Sequence, residues 1–257
     1  MQDLADEQAG ALDAPERWLS ASALLDLEDS RLRLRSHALT QLCTSERDKA
    51  LAIYNFVKRI LYGRPFKLRL RTARQVFDAS QADAPDKATL LVALMRSAGI
   101  PARLRYIELR GEILRGLTST MSNISRPLAE IWLGDRWVSV DTYIVDAAYM
   151  AAARQRLKDR DWEWGYGIHR NGQSVWNGMD DAFLGGKSTA EDPMVVRDLG
   201  VFHDPQHFVE SAIYSQMHPR FSRAVHLNIL VPTVGLAIRD LRAERPPSTD
   251  RGTGKLS

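Results

Sequence analysis

The stretch that decides the fold is DAPDKATLLVALMRSAGIPAR, residues 83–103. Asp83 can cap the free amides that open a helix, and Pro85 is tolerated in a first helical turn. Apolar residues recur at helical spacing and give the helix one apolar face: Leu90, Leu91, Leu94 and Met95. Gly99 is typical of a helix C-terminus, and the proline that follows it prevents the helix from resuming. The sequence therefore predicts a helix that begins next to Asp83 and ends at Gly99.

A strand and a hairpin are predicted directly after this helix. Residues 102–110 partly alternate apolar and charged side chains, which is typical of a strand. Residues 127–133 predict a second strand, Gly134-Asp135-Arg136 a tight turn, and residues 137–141 the returning strand of a hairpin.

The order of these elements, together with three motifs, resembles the transglutaminase-like domain, a circularly rearranged relative of the papain fold. The motifs are KATLL at residues 87–91, GIPAR at residues 99–103 and G-x-R-W-x-x-x-D-T at residues 134–142. The resemblance covers roughly residues 44–150. It implies an α+β fold in which a central helix packs on an antiparallel sheet, with helical extensions at the N-terminal and C-terminal sides.

The family's catalytic triad consists of a cysteine at the helix start, a histidine on the following strand and an aspartate at the end of the hairpin. Carried over by position, the nucleophile falls on Ala84, the general base on Arg126 and the orienting carboxylate on Asp141. Only Asp141 matches the family pattern, so the two groups that perform the chemistry are replaced.

The replacements change what the site can do. A methyl group cannot attack an acyl carbon, and a guanidinium stays protonated at working pH and cannot accept a proton as a base. An aspartate beside an arginine is a good ion pair, so we expect Arg126 and Asp141 to form a structural or ligand-anchoring salt bridge. The alternative is that Asp141 is a hairpin-end carboxylate satisfied by turn amides.

Other residues are candidates for ligand contact. Asp83 and Asp86 bracket Ala84, where they either cap the helix or line a polar pocket. A Trp- and Gly-rich stretch at residues 161–172 either covers an edge of the core or forms a wall over the pocket. Its candidate substrate-binding side chains are Trp162, Trp164 and Tyr166.

Three other segments have readable patterns. Residues 45–62 predict a helix in which Ser45 and Asp48 resemble a capping box. Residues 66–71 alternate basic and leucine side chains and predict an exposed strand or sheet edge. Residues 173–200 predict loops, and residues 205–216 and 222–242 each predict a helix.

Along the chain, four regions are predicted. They are an N-terminal helical extension at 1–43, the transglutaminase-like core at 44–150, a C-terminal region of loops and helices packed on the core at 151–245, and a disordered tail at 246–257.

Composition indicates an ordinary soluble protein of 257 residues, 44% hydrophobic, with a formal net charge of +3. The sole cysteine, Cys43, excludes an internal disulfide and fits a reducing compartment. The acidic N-terminus has no apolar core of a secretory signal, and we expect a cytoplasmic location.

His203, His207 and Glu210 have a spacing that can form a metal face on a helix, but Asp204-Pro205 predicts a helix start after His203, so no metal is expected. Zinc spacings, phosphate-binding loops and nucleic-acid motifs do not occur in the sequence, and we expect no cofactor or nucleic-acid partner. No run of about 18 apolar residues occurs either, and we expect no membrane partner.

Three functions remain open at this point. The first is a non-catalytic transglutaminase-like protein that binds a peptide, an acyl carrier, a small molecule or a protein partner in the cleft. The second is a cysteine-dependent acyl-transferase or amide hydrolase present as an inactive Cys-to-Ala form. The third is a repurposed enzyme that uses the Asp and Arg groups of the same pocket.

Overall fold

The computed structural model describes residues 14–119, 122–218 and 231–243. The α-helices are α1 (Ser30–Thr40), α2 (Glu46–Arg59), α3 (Ala73–Phe77), α4 (Ala84–Ser97), α5 (Ala147–Asp159), α6 (Pro205–Glu210), α7 (Ala212–Met217) and α8 (Val231–Ala243). The strands are β1 (Leu61–Tyr62), β2 (Gln81–Ala82), β3 (Ala102–Leu109), β4 (Ile124–Leu133), β5 (Arg136–Val140), β6 (Trp164–Gly165), β7 (Ile168–His169) and β8 (Val195–Phe202). The predicted α+β class is confirmed.

A four-stranded antiparallel sheet with the order β5-β4-β3-β8 forms one layer of the core. The predicted strand after the central helix and the predicted hairpin are β3, β4 and β5. Strand β8 corrects the loops predicted for residues 173–200, because it begins at Val195 and completes the sheet. Its side chains are mostly exposed or half-buried, and its pairing with β3 is irregular, so its apolar pattern in the sequence is weak.

Helix α4 is the centre of the fold. It packs against α1, α2 and α3 and against strands β3 and β4. Every residue from Asp86 to Arg96 is buried. The helix is therefore enclosed on all sides and not only along its predicted apolar face. Asp83 caps the first turn by accepting a hydrogen bond from the Asp86 amide at 3.2 Å. Gly99 ends the helix with a φ of 79°, a conformation that glycine adopts without strain.

A buried lysine joins the helix to two other segments. Lys87 is fully buried, and its Nζ donates to the carbonyl oxygens of Ile60 at 2.8 Å, Ile144 at 3.0 Å and Lys58 at 3.3 Å. These three bonds use the whole donor capacity of an ammonium group. Burial lowers the pKa of Lys87 to about 7. The side chain therefore connects the start of α4 to the end of α2 and to the loop after β5.

The segment before α3 differs from its prediction. Residues 66–71 were expected to form an exposed strand, and the structure has no strand there. Phe66 and Leu68 are exposed, but Lys67 between them is only 4% exposed because it bonds to carboxylates at the start of α4.

The C-terminal helices also differ from their predictions. The helix predicted for residues 205–216 is divided into α6 and α7 at Ser211, whose hydroxyl accepts a hydrogen bond from the Tyr214 amide. Of the helix predicted for residues 222–242, α8 covers the part from residue 231, and residues 222–230 lie outside the described residues. The tail at 246–257 also lies outside them, and the division into four regions stays a prediction.

Within the three described ranges, no helix combines the length and the apolar character needed to cross a membrane.

Replacing Lys87 by methionine should lower the free energy of unfolding by about 2–3 kcal/mol at pH 7, because three buried carbonyls lose their donor. The folded-state pKa of Lys87 lies below its unfolded value, so the unfolded chain binds more protons between about pH 7 and pH 10. The wild type therefore gains stability from this group as pH rises through that window, and the variant does not. Urea unfolding at pH 7 and pH 9 should show a larger loss at pH 9.

Lys158→Met is the matched control, since Lys158 is an exposed lysine in α5. Its substitution should change stability by less than about 0.5 kcal/mol at either pH. An equal loss in the Lys87 variant at both pH values would contradict the assigned titration.

Candidate functional site

The start of α4 forms one side of the candidate site. Ala84 is the first residue of the helix, half-buried, and Pro85 follows it in the first turn. The two-residue strand β2 enters the helix directly and pairs in parallel with β1. This pairing fixes the position of the residues on either side of Ala84.

Two carboxylates next to Ala84 belong to a buried charge cluster. The Nζ of Lys67 lies 2.7 Å from Asp83 Oδ2 and 3.0 Å from Asp86 Oδ1. Arg71 donates from Nε to Asp86 Oδ2 at 2.9 Å and binds the same oxygen through a second nitrogen. Burial and the adjacent charge of Asp83 raise the pKa of Asp86 to about 6. Both oxygens of Asp86 are occupied, so its role is to hold the helix start in place.

The predicted ion pair between Arg126 and Asp141 is present. Arg126 Nη1 donates to Asp141 Oδ2 at 3.1 Å, and Arg126 Nη2 donates to the Gly167 carbonyl at 2.6 Å. The second oxygen of Asp141 accepts a hydrogen bond from the Leu184 amide at 2.7 Å. Burial raises the pKa of Asp141, and the positive charge of Arg126 opposes that increase. Asp141 therefore forms the predicted ion pair, and the amide that it binds belongs to Leu184, 43 residues later, and not to the hairpin turn.

A cavity of about 830 Å³ joins these parts. Ala84 and Arg126 both line it, while Asp141 lies behind Arg126 and is 2% exposed. Its volume lies in the range of pockets that bind small molecules or peptide side chains. The positions opening the central helix and starting the hairpin thus meet at one cleft.

The opposite wall of the cavity comes from a distant part of the chain. Its apolar members lie on α6, α7 and α8 and are Phe208, Val209, Tyr214, Met217 and Val234. Polar groups on β3 also reach the cavity, namely Tyr106 and Glu108. These residues were not predicted, because no local pattern indicates which helix covers a cleft formed more than 100 residues earlier in the chain.

The Trp- and Gly-rich stretch contributes less than predicted. Tyr166 lines the cavity, whereas Trp162 and Trp164 do not belong to its described wall. The guanidinium groups of Arg115 and Arg160 lie 3.7 Å and 4.7 Å from the centroid of the Trp162 ring. The Trp164 ring packs against His169 at 4.3 Å.

In the described part of the chain, no cluster of three or more His, Cys, Asp or Glu side chains could hold a metal ion.

Residues 35–142 match the family model of the transglutaminase-like superfamily. This part of the chain is a transglutaminase-like domain. The match includes the start of α4, strand β4 and Asp141, so the whole of the Ala84, Arg126 and Asp141 set lies inside the domain. The α6–α8 wall of the cavity lies outside it.

No protein of curated function matches the transglutaminase-like protein. Among solved structures, it is similar to a candidate cysteine protease from Cytophaga hutchinsonii, with 19% sequence identity and a TM-score of 0.39. The similarity covers 48% of this chain and 39% of that one.

Substitution of Arg126 by methionine should destabilise the protein by about 3–5 kcal/mol at pH 8, because it leaves a buried carboxylate without its cation. Without Arg126 the folded-state pKa of Asp141 rises further above its unfolded value. The folded variant then binds more protons than the unfolded chain, so its stability falls as pH rises. Urea unfolding should therefore show a smaller loss at pH 5 than at pH 8, and Arg126→Met/Asp141→Asn should recover part of the stability.

An exposed ion pair provides the comparison. Arg170 lies 2.9 Å from Asp161, whose side chain is 95% exposed. Arg170→Met should cost less than about 1 kcal/mol at both pH values. If the Arg126 variant behaved like the Arg170 variant, the pair with Asp141 would not be a buried one.

Proposed function

We propose that this transglutaminase-like protein is not a cysteine catalyst and that it binds a ligand in the cleft beside Ala84. The observation that carries the proposal is the buried ion pair of Arg126 with Asp141 in a cavity that Ala84 also lines. In the family pattern the same three positions hold a nucleophile, a base and an orienting carboxylate.

The chemistry of the side chains supports binding over acyl transfer. The methyl group of Ala84 has no electron pair with which to attack a carbonyl carbon. Arg126 is protonated, and two of its nitrogens already donate to Asp141 and Gly167. The Arg126 guanidinium is thus held in place and positively charged. Such a group can anchor a ligand, but it cannot remove a proton from one.

The remaining thiol gives no substitute for the missing nucleophile. Cys43 follows α1 and its Sγ contacts the Leu39 carbonyl oxygen at 3.7 Å. It is not among the described residues that line the cavity. An imidazole, His218, does line the cavity, where it packs on Tyr214. Imidazole without a thiol beside it does not reproduce the family's chemistry.

The two alternatives predict different behaviour. A cysteine enzyme present as an inactive Cys-to-Ala form would become active once a thiol is restored at position 84. A repurposed enzyme would show turnover without any substitution. The intact capping of α4 by Asp83 is compatible with the first alternative, and the Arg126 side chain opposes it.

Restoration of the triad separates these functions. We expect Ala84→Cys alone to give no turnover of a glutamine-containing peptide with hydroxylamine, because no base serves the thiol. The double variant Ala84→Cys/Arg126→His places an imidazole next to Asp141 and should raise the rate about 100-fold or more above the uncatalysed background. Hydroxamate formation measures both rates.

Ala84→Ser/Arg126→His serves as the control for the imidazole alone, since a hydroxyl is a weaker nucleophile than a thiol. Turnover by Ala84→Cys alone would favour the Cys-to-Ala form of an enzyme. Turnover by the unchanged chain would favour the repurposed enzyme, and either result would contradict a non-catalytic binder.

A further inference from the structure

The charged groups around the cavity are unequally satisfied. On one side Arg126 is paired with Asp141, and on β3 Glu108 accepts a hydrogen bond from Arg197 Nε at 2.6 Å. At the start of α4, Asp83 is paired with Lys67. Each of these charges is matched by an opposite one.

Arg64 is the exception among the described lining residues. Its guanidinium is half-buried and lines the cavity, and no described carboxylate lies within ion-pairing distance of it. Its Nε is buried and has no hydrogen-bond partner among the described residues. A partly desolvated cation with an open donor favours a negatively charged group at hydrogen-bonding distance.

A second open donor faces the same cavity. Tyr106 is 2% exposed, and its hydroxyl has no hydrogen-bond partner in the parts of the chain that the structure describes. Its ring is fixed by stacking on Phe208, with a centroid distance of 3.8 Å. A buried hydroxyl without a partner costs folding free energy, so its retention at a cavity wall indicates a ligand atom that accepts from it.

Both donors line the same cavity as Asp83, the residue that caps α4. Burial raises the pKa of Asp83, but the charges of Lys67 and then Arg64 outweigh that effect and lower it. Burial raises the pKa of Tyr106, and Tyr143, Asp204 and Asp83 add to the increase in that order. Asp83 therefore interacts electrostatically with both donors. The two carboxylates at the start of α4 are in direct contact with Lys67 and Arg71, and Arg64 has no such contact pair of its own among the described residues.

Most of the other side chains that line the cavity are apolar, although Asn123, His218 and several Ser and Thr hydroxyls also belong to the lining. The α6–α8 wall defined above is aromatic and aliphatic, and further apolar side chains face the cavity from the domain side. These are Leu70, Leu114, Leu117, Ile124, Ile144 and Val145. A ligand that fits this cavity therefore combines one anionic end with a predominantly apolar remainder.

We propose that the cavity binds an amphipathic carboxylate, whose carboxylate group lies on Arg64 and the Tyr106 hydroxyl and whose apolar part lies along the α6–α8 wall. This inference rests on the proposed binding function and specifies its ligand class. A carboxylate carries the single negative charge that the site lacks, and its two oxygens accept from two donors. The chemistry is shared by aliphatic acids and by the C-terminus of an apolar peptide.

Titration calorimetry with matched probes tests the proposal. The probes are dodecanoate and dodecanol below their aggregation concentrations, and acetyl-Leu-Phe-Leu as the free acid and as the amide. We expect at least one acid to bind about tenfold or more tightly than its uncharged counterpart. Arg64→Gln and Tyr106→Phe should each reduce that preference, and Arg64→Gln should abolish it.

Arg59→Gln is the matched control, because Arg59 is an exposed arginine at the end of α2 that does not line the cavity. It should leave all four affinities unchanged. The preferred acid, aliphatic or peptide, identifies the source of the carboxylate. Equal binding of acid and neutral probes, or an acid preference that survives in Arg64→Gln, would overturn the proposal, as would the absence of binding by both acids.

An uncharged dye makes failure of the ligand class distinguishable from failure of the binding function. Nile red should bind the wild type and be excluded by Ala84→Trp, which fills the cavity at the helix start. If Nile red binds as expected and no acid is preferred, the cleft accepts ligands but the carboxylate assignment is wrong. If Nile red binding is unaffected by Ala84→Trp, the cleft itself is not the binding site, and the proposed function fails with it.

Discussion

The burial of α4 is the constraint on which the rest of the structure depends. A helix with no solvent-exposed face cannot leave a charged side chain in water, so each one must find its partner inside the protein. Asp86 is held by Lys67 and Arg71, and Lys87 by three carbonyls. Arg96 donates to the carbonyls of Ser20 at 2.5 Å, Ala102 at 2.9 Å and His203 at 3.2 Å. The charges of one helix thus fix segments from almost the whole chain around it.

This arrangement explains how the fold can persist when the residue that opens α4 varies. None of the hydrogen bonds of Asp86, Lys87 and Arg96 involves the side chain of Ala84. The residue at the nucleophile position can therefore vary without the loss of these hydrogen bonds. Arg126 and Asp141 are different, because each provides the counter-charge that the other requires when buried. A change from histidine to arginine at this position keeps a hydrogen bond to the carboxylate but makes the positive charge permanent. At the Arg126 position the cleft therefore carries a fixed positive charge in place of a group that could accept a proton.

The sequence predicts those parts of the fold whose cause is local. The Asp83 cap, the end of α4 at Gly99 and the β4–β5 hairpin depend on residues a few positions apart, and the structure has each of them. The ion pair of Arg126 was predictable because the family resemblance places its partner on the adjacent strand. By contrast, Lys67 occurs in an alternating segment typical of an exposed strand. Only the three-dimensional position of Asp83 and Asp86 shows why it is buried.

The parts of the site that the sequence could not provide are those that determine its ligand. The wall formed by α6, α7 and α8 comes from a region outside the matched domain. The sequence around an aromatic residue in a short helix does not indicate that the residue lines a cavity. Tyr106 is another example, since the alternation of apolar and charged residues along β3 predicts only that its side chain faces the core. What distinguishes it from an ordinary core tyrosine is a hydroxyl with no hydrogen-bond partner among the described residues, in a cavity that Arg64 also lines. Two such groups in one apolar cavity are unfavourable for the empty protein, and a bound carboxylate is the simplest partner that satisfies both.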